Sequence, residues 1–180
     1  MKGIVRILKT KTDPVTGREI VTQDETRENE LTDQFYRSFI NNQKPTGDSL
    51  DIWISEYDFV GPGATLSDSS SSLRRQITGT RNSYTYTPHT STTPGIHQWS
   101  YTFNPPSTTT RTIRTISLED NTILSIYNDP CIQETTETLT IFYNIVQELA
   151  STADFADLSP QELEIYQQFF WIRSGISNDV

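Results

Sequence analysis

The stretch RTIRTISLEDNTILSIYNDPCIQETTETLTIFYNIVQ, residues 111–147, decides the fold class. Ile116 and Leu118 alternate with Ser117, and Leu124 and Ile126 alternate with Ser125. Leu139, Ile141, Tyr143 and Ile145 alternate with Thr140, Phe142 and Asn144. That is the period-two pattern of strands with one buried face. Turn chemistry separates them, at Glu119-Asp120-Asn121 and at Asn128-Asp129-Pro130. Three short strands are predicted, with Tyr143 on the inner face of the last. No catalytic chemistry lies on them.

Working outward, the composition agrees. Only 33% of the 180 residues are apolar while 11% are aromatic, so the core rests on few, large side chains spread over short elements. This favours β-structure over a helix bundle. The length suits one domain with a helical appendage; residues 1–150 are assigned to the domain and 151–180 to a C-terminal assembly segment. Fourteen basic residues against 23 acidic give a net charge of −9, which repels a phosphate backbone and argues against direct nucleic-acid binding. The single cysteine, Cys131, forms no internal disulfide and fits synthesis in a reducing cytosol. The apolar run near the amino terminus is broken by Arg6 and Lys9, and no segment approaches the roughly 18 apolar residues of a membrane span. Neither a signal peptide nor a span is expected.

Upstream, Ile4 to Leu8 and Arg18 to Thr22 flank the turn Asp13-Pro14-Val15-Thr16-Gly17 and predict a β-hairpin. From Glu25 to Asn42, Leu31, Phe35 and Phe39 recur at four-residue spacing with Tyr36 and Ile40 beside them, predicting an amphipathic helix. A strand follows at Leu50 to Tyr57, with Leu50, Ile52 and Ile54 on one side. Trp53, on the other, is a candidate interface residue. Gly61 to Ser72 and Pro88 to Gly95 read as surface loops. Between them Leu73 to Tyr86 reads as two polar-faced strands, and Trp99, Tyr101 and Phe103 alternate with Ser100 and Thr102 as a strand with an aromatic core face.

Near the carboxyl end, Ser159-Pro160-Gln161-Glu162 is a capping box, and Gly175 follows the last periodic residue, so a helix is predicted from Pro160 to about Ser174. Leu163, Ile165, Tyr166, Phe169, Phe170, Trp171 and Ile172 wrap well over half of it. Phe169, Phe170, Trp171 and Ile172 are therefore candidate protein-interface residues.

Catalytic signatures are absent. His89 and His97 have no cysteine or acidic cluster at ligand spacing, so no metal site is assigned. No Gly-x-Ser-x-Gly elbow and no phosphate-cradling glycine loop occurs. Cys131 reads as a small hydrophobe. Glu119 with Asp120, and Asp154 with Asp157, are carboxylate pairs in turns. Trp53, Tyr57, Tyr84 and Tyr86 are candidates for an aromatic sugar platform, with structural packing as the alternative. No cofactor is expected.

Three places carry a resemblance. KGIVRILKTKTDPVTGREIV (2–21), followed by ELTDQFYRSFI (30–40), resembles the opening paired strands, "TG" turn and helix of small tail proteins of tailed bacteriophages. WSYTFNPPSTTTRTIRTISL (99–118) is similar to their "F-x-P-P … R-T-I" segment. LSIYNDP (124–130) and ETLTIFYNI (137–145) resemble their closing strands, with Asn144 where arginine is common. The resemblance implies a non-enzymatic tail fibre, fibre-adaptor or baseplate component, made in the host cytoplasm and located in the virion, with other phage tail proteins as partners and as a homo-oligomer. The expected architecture is an antiparallel β-sandwich with an amphipathic helix after the first hairpin and a C-terminal helix. The rival readings are a receptor- or carbohydrate-binding module, with a host surface glycan as ligand, a head-tail connector, and a degradative enzyme.

Overall fold

A computed structural model describes residues 2–35, 49–65, 76–88, 93–120, 122–146 and 159–160, together with the backbone of 172–173 and 176–177. The chain is mainly β, and every strand pair in it is antiparallel. Strands β1 (Lys2–Thr12) and β2 (Glu19–Leu31) form a long hairpin, followed by β3 (Asp51–Ser55), β4 (Gln76–Thr78), β5 (Thr80–Thr87) and β6 (Ile96–Phe103). Then come β7 (Arg111–Ile113), β8 (Thr115–Glu119), β9 (Ile123–Tyr127), β10 (Cys131–Gln133) and β11 (Thr138–Val146). Two-residue strands β12 (Ile172–Arg173) and β13 (Ile176–Ser177) pair with each other, and β7 pairs with β10.

Nine strands make one sheet in the order β4-β3-β8-β9-β2-β1-β11-β6-β5. Its two edge strands, β4 and β5, are separated in the chain by Gly79 alone. A single bent segment therefore hydrogen-bonds to β3 with one half and to β6 with the other, and the sheet is nearly closed on itself. The strands expected to form a sandwich thus belong to one rolled antiparallel sheet with two corners, at β4–β5 and where β2 passes from β1 to β9.

The inner face is built in rungs. Val5, Tyr143, Trp99 and Tyr84 stand opposite one another across β1, β11, β6 and β5, and Ile7, Ile141 and Tyr101 form the next rung. Leu50, Ile52, Ile54, Ile116 and Leu118 line the facing side of the same core. The alternations at 96–103, 139–145 and 50–54 thus face inward as the sequence predicts, and Tyr143 is fully buried.

Strand β9 departs from its predicted alternation. A register shift between Leu118 and Glu119 displaces β8 against β9, so that Ser125 is buried inside while Ile123 and Ile126 pack outside against Phe59 and Ala64. Both faces of β8 and β9 are consequently covered. Ala64, in the segment read as a surface loop, is part of this outer cluster because residues 56–65 fold back over β9; residues 66–75 lie outside the described residues. Glu119, expected in an exposed turn, is buried in β8 and accepts a 2.5 Å hydrogen bond from Ser117 Oγ.

Among the described residues neither expected helix is seen at its predicted length. The first would begin at Glu25, where the chain is instead still in β2, held to β1 by Lys2–Glu28 and by a bidentate Arg6–Asp24 pair. Cross-strand pairing with a basic neighbour overrides the four-residue spacing of Leu31 and Phe35. Asp33–Phe35 make a helical turn, which buries Phe35 in the core, and 36–42 lie outside the described residues. At the carboxyl end Pro160 is helical, but Ile172 and Arg173 pair as β12 with β13 where the expected helix should still run. Phe169, Phe170 and Trp171 lie outside the described residues.

Candidate functional site

Both corners of the rolled sheet, the β2 corner first and the β4–β5 corner second, are fastened by a buried tyrosine. At the first, the Tyr143 hydroxyl donates to Ser125 Oγ at 2.6 Å, and Ser125 Oγ lies 2.9 Å from the Glu30 carbonyl and 3.2 Å from Asn29 Oδ1. Asn29 fills the space above Gly3, where a Cβ would overlap its side-chain amide. At the second, Tyr101 donates to Asp51, Arg81 Nε donates to the Tyr101 hydroxyl at 3.0 Å, and Arg81 also donates to the Leu50 carbonyl at 2.6 Å. These polar groups join β3 to β5 and β6 across the seam. Their geometry is that of fastening, and of the groups at the two corners the buried Asn29 Nδ2 alone has no hydrogen-bond partner among the described residues.

Burial raises the pKa of Tyr86, Tyr101 and Tyr127 to about 12, with the nearby carboxylates of Asp51 and Asp129 adding to the effect at Tyr101 and Tyr127. Burial also raises Tyr143, and lifts Cys131 to about 11. In each case the folded value lies above the unfolded one, so the folded chain holds more protons. Stability is then fully present below the unfolded values, near 9 for the thiol and 10 for the phenols, and falls as pH rises through the folded values. The melting temperature should be level at neutral pH and drop steeply between about pH 9 and 12, in step with the ultraviolet signal of tyrosinate. Ionisation of all eight tyrosines well below the loss of fold would contradict this burial.

The four aromatic residues Trp53, Tyr57, Tyr84 and Tyr86 do not gather in one place. Tyr84 and Tyr86 pack on the main core, where Tyr86 stacks on His97 with ring centroids 4.4 Å apart, and Tyr84 accepts or donates a 2.8 Å bond at His97 Nδ1. Tyr57 belongs to the outer cluster. Trp53, expected as an interface residue, is half-buried on the outward side of β3 between Thr78 and Ser117. His97, read as a residue beside a loop, is a buried member of β6. Among the described residues no three His, Cys, Asp or Glu side chains gather as a metal site, and no helix is long and apolar enough to cross a membrane.

Two surfaces stand out among the described residues. One is an open cleft of about 420 Å³ at the Gly79 corner, lined among others by Thr78, Thr80, Thr102, Asn104, Pro106 and Arg111. Arg111 donates to Gln133 Oε1 at 2.7 Å, and the Gln133 amide holds the Phe103 and Glu137 carbonyls, which fixes the cleft wall.

The other is the hairpin. Its turn is preformed: the Asp13 carboxylate accepts from the Val15 amide and the Thr16 hydroxyl, which holds its pKa below the usual range, and Gly17 takes φ +71°. On its far side β2 meets β9 only at Glu30 and Leu31. From Glu19 to Asn29 it has a strand partner on one side only among the described residues. Thr22 donates to Glu137, and Lys9 pairs with Glu137 at 3.6 Å, which ties the hairpin to the turn before β11. Burial opposes the Glu137 carboxylate, but the Thr22 hydroxyl, the Glu134 amide and Lys9 together hold its pKa below the usual range. Beyond that tie Val15 is 89% exposed and Val21 57%. Sequence reasoning placed a helix over half of this strand and so missed the edge; the run of β-branched and charged residues from Ile20 to Arg27, without a helix cap, is the signal that points to it.

Comparison with protein-family models, with curated proteins and with solved structures gives no match.

Proposed function

We propose that this chain is a non-enzymatic structural protein that works by protein–protein assembly, in the tail, fibre-attachment or baseplate region of a tailed-phage virion. The observation that carries the assembly reading is β2, a long strand edge with a partner on one side only among the described residues, and with exposed Val15, Ile20 and Val21 at its tip. Such edges are usually shortened, covered or twisted away unless another chain meets them. The placement in a virion rests on the resemblance of residues 2–21, 99–118 and 124–145 to phage tail proteins. Described polar clusters fasten strands, as at Tyr101 and Tyr143, which supports a scaffold over a catalyst.

Mass spectrometry of purified particles from the phage that encodes the chain tests this. The chain should be present in several copies per particle and should resist washing in high salt. Its absence from particles that are complete and infectious would defeat the proposal. A second reading, recognition of a host glycan, is favoured by the hydroxyl- and amide-lined cleft at Gly79. Saturable binding on a glycan array that Arg111→Ala abolishes would support it, and a blank array would remove it.

A further inference from the structure

Charge divides the hairpin by strand. β1 carries Lys2, Arg6, Lys9 and Lys11 and no acid; β2 carries Glu19, Asp24, Glu25, Glu28 and Glu30 against one base, Arg27. On the paired side the two match, through Lys2–Glu28 at 3.2 Å and Arg6–Asp24 at 2.9 Å. On the other side the same acidic strand presents its backbone between Glu19 and Asn29, with most of its side chains exposed. It does not cover the core there either: Arg27 and Glu25 face Val5 and Ile7 across the hairpin, yet Arg27 is exposed and Glu25 only half-buried.

Resting on the assembly reading above, we propose that this edge takes up an extended, basic segment of a partner protein as an added strand, lying antiparallel to β2 on the side away from β1. Backbone hydrogen bonds along the edge supply the attachment, and side chains at alternate positions select the partner. The selection follows from cross-strand charge. Lysine or arginine opposite the β2 carboxylates attracts, while acidic residues repel. A second copy of β2 would set carboxylates against carboxylates, so the edge disfavours self-pairing and selects a strand of β1 chemistry from elsewhere. In this chain β1 itself is enclosed between β2 and β11 and is not available to a neighbour. Exposed Ile20 and Val21 provide an apolar end stop for the incoming segment.

The probe is a labelled peptide with the sequence KGIVRILKTKT, residues 2–12, added to the full chain in fluorescence anisotropy. Saturable binding is expected that weakens as salt rises, with amide-exchange protection gained between Glu19 and Asn29. A peptide in which Lys and Arg are replaced by Glu should not bind. The triple variant Glu19→Lys, Glu25→Lys, Glu28→Lys should weaken the basic peptide at least about tenfold and accept the acidic one. Glu19 and Glu28 are exposed and Glu25 is half-buried, and Glu28 pairs with Lys2, so amide-exchange protection of the β1–β2 ladder in the variant checks that the hairpin is kept. Absence of binding at low salt, affinity indifferent to the charge variants, or protection lost within β1 because the peptide has replaced it would each overturn the proposal. A chain found in purified particles that binds no basic strand loses this inference and keeps the assembly reading; absence from particles removes the placement in a virion, while saturable binding of the basic peptide still supports assembly through this edge.

Discussion

Replacing Tyr143 with alanine should lower the unfolding free energy by about 3–5 kcal/mol, the range for deleting a large buried aromatic side chain. The ring is fully buried on the middle rung of the barrel, between Val5 on β1 and Trp99 on β6. Its hydroxyl meets Ser125 at 2.6 Å, and Ser125 in turn reaches the Glu30 carbonyl of β2. Two different losses are thus combined, and Tyr143→Phe separates them. Phenylalanine keeps the packing and removes the hydrogen bond, for an expected cost of about 1 kcal/mol, because Ser125 still has the Glu30 carbonyl to donate to. Urea melts of the three proteins read both values. If alanine melts like the parent, the barrel interior is misplaced; if phenylalanine is as damaging as alanine, the hydroxyl bolt outweighs the packing.

Tyr143 also shows what the sequence makes legible. Its strand alternates cleanly, as do Trp99 to Phe103 and Leu50 to Ile54, because each has one apolar face and regular neighbours that preserve the period. The tight turn at Asp13 to Gly17 is equally plain, since its geometry depends on residues within the turn. Three features were not legible. At β9 the register shift beside Glu119 turns Ser125 inward and Ile126 outward, and nothing local announces a shift that depends on two strands. Over residues 25–31 the expected helix gives way to β2, whose decisive partners, Lys2 and Arg6, stand more than a dozen residues away. Barrel closure was hidden for a related reason: it requires β4 and β5 to serve two different neighbours, and a linear pattern shows only that both are strands. The open β2 edge follows from that same long-range pairing, so the candidate assembly surface became visible only with the fold.

One glycine marks the closure in the sequence after the fact, and substituting it should be the second damaging change. Gly79 lies between β4 and β5, at the bend where one segment leaves β3 and joins β6. A Cβ there would stand well inside van der Waals distance of the Thr102 carbonyl oxygen, with the Thr102 carbonyl carbon and Phe103 Cδ1 at 3.0 Å. Two of those three atoms are backbone, held in the β5–β6 and β6–β11 ladders, so they cannot swing aside as a flexible side chain would. Its φ is not positive, unlike those of Gly17 and Gly61; the restriction is space and close backbone approach, the ordinary meaning of an isolated glycine in a strand pattern. Gly79→Ala should therefore cost about 1–3 kcal/mol through forced backbone shift, and Gly79→Val more. Gly63→Ala is the control, since its Cβ would meet only Asp33 Oδ2 at 4.0 Å, and it should stay within about 0.5 kcal/mol of the parent. The damage should also have a location. Amide exchange should speed up first at β3, β4 and β5, where Arg81, Asp51 and Tyr101 fasten the seam, while the β1–β11 ladder keeps its protection. Equal stability of the Gly79 and Gly63 variants, or exchange that rises uniformly through all strands, would mean that the barrel does not close at this bend.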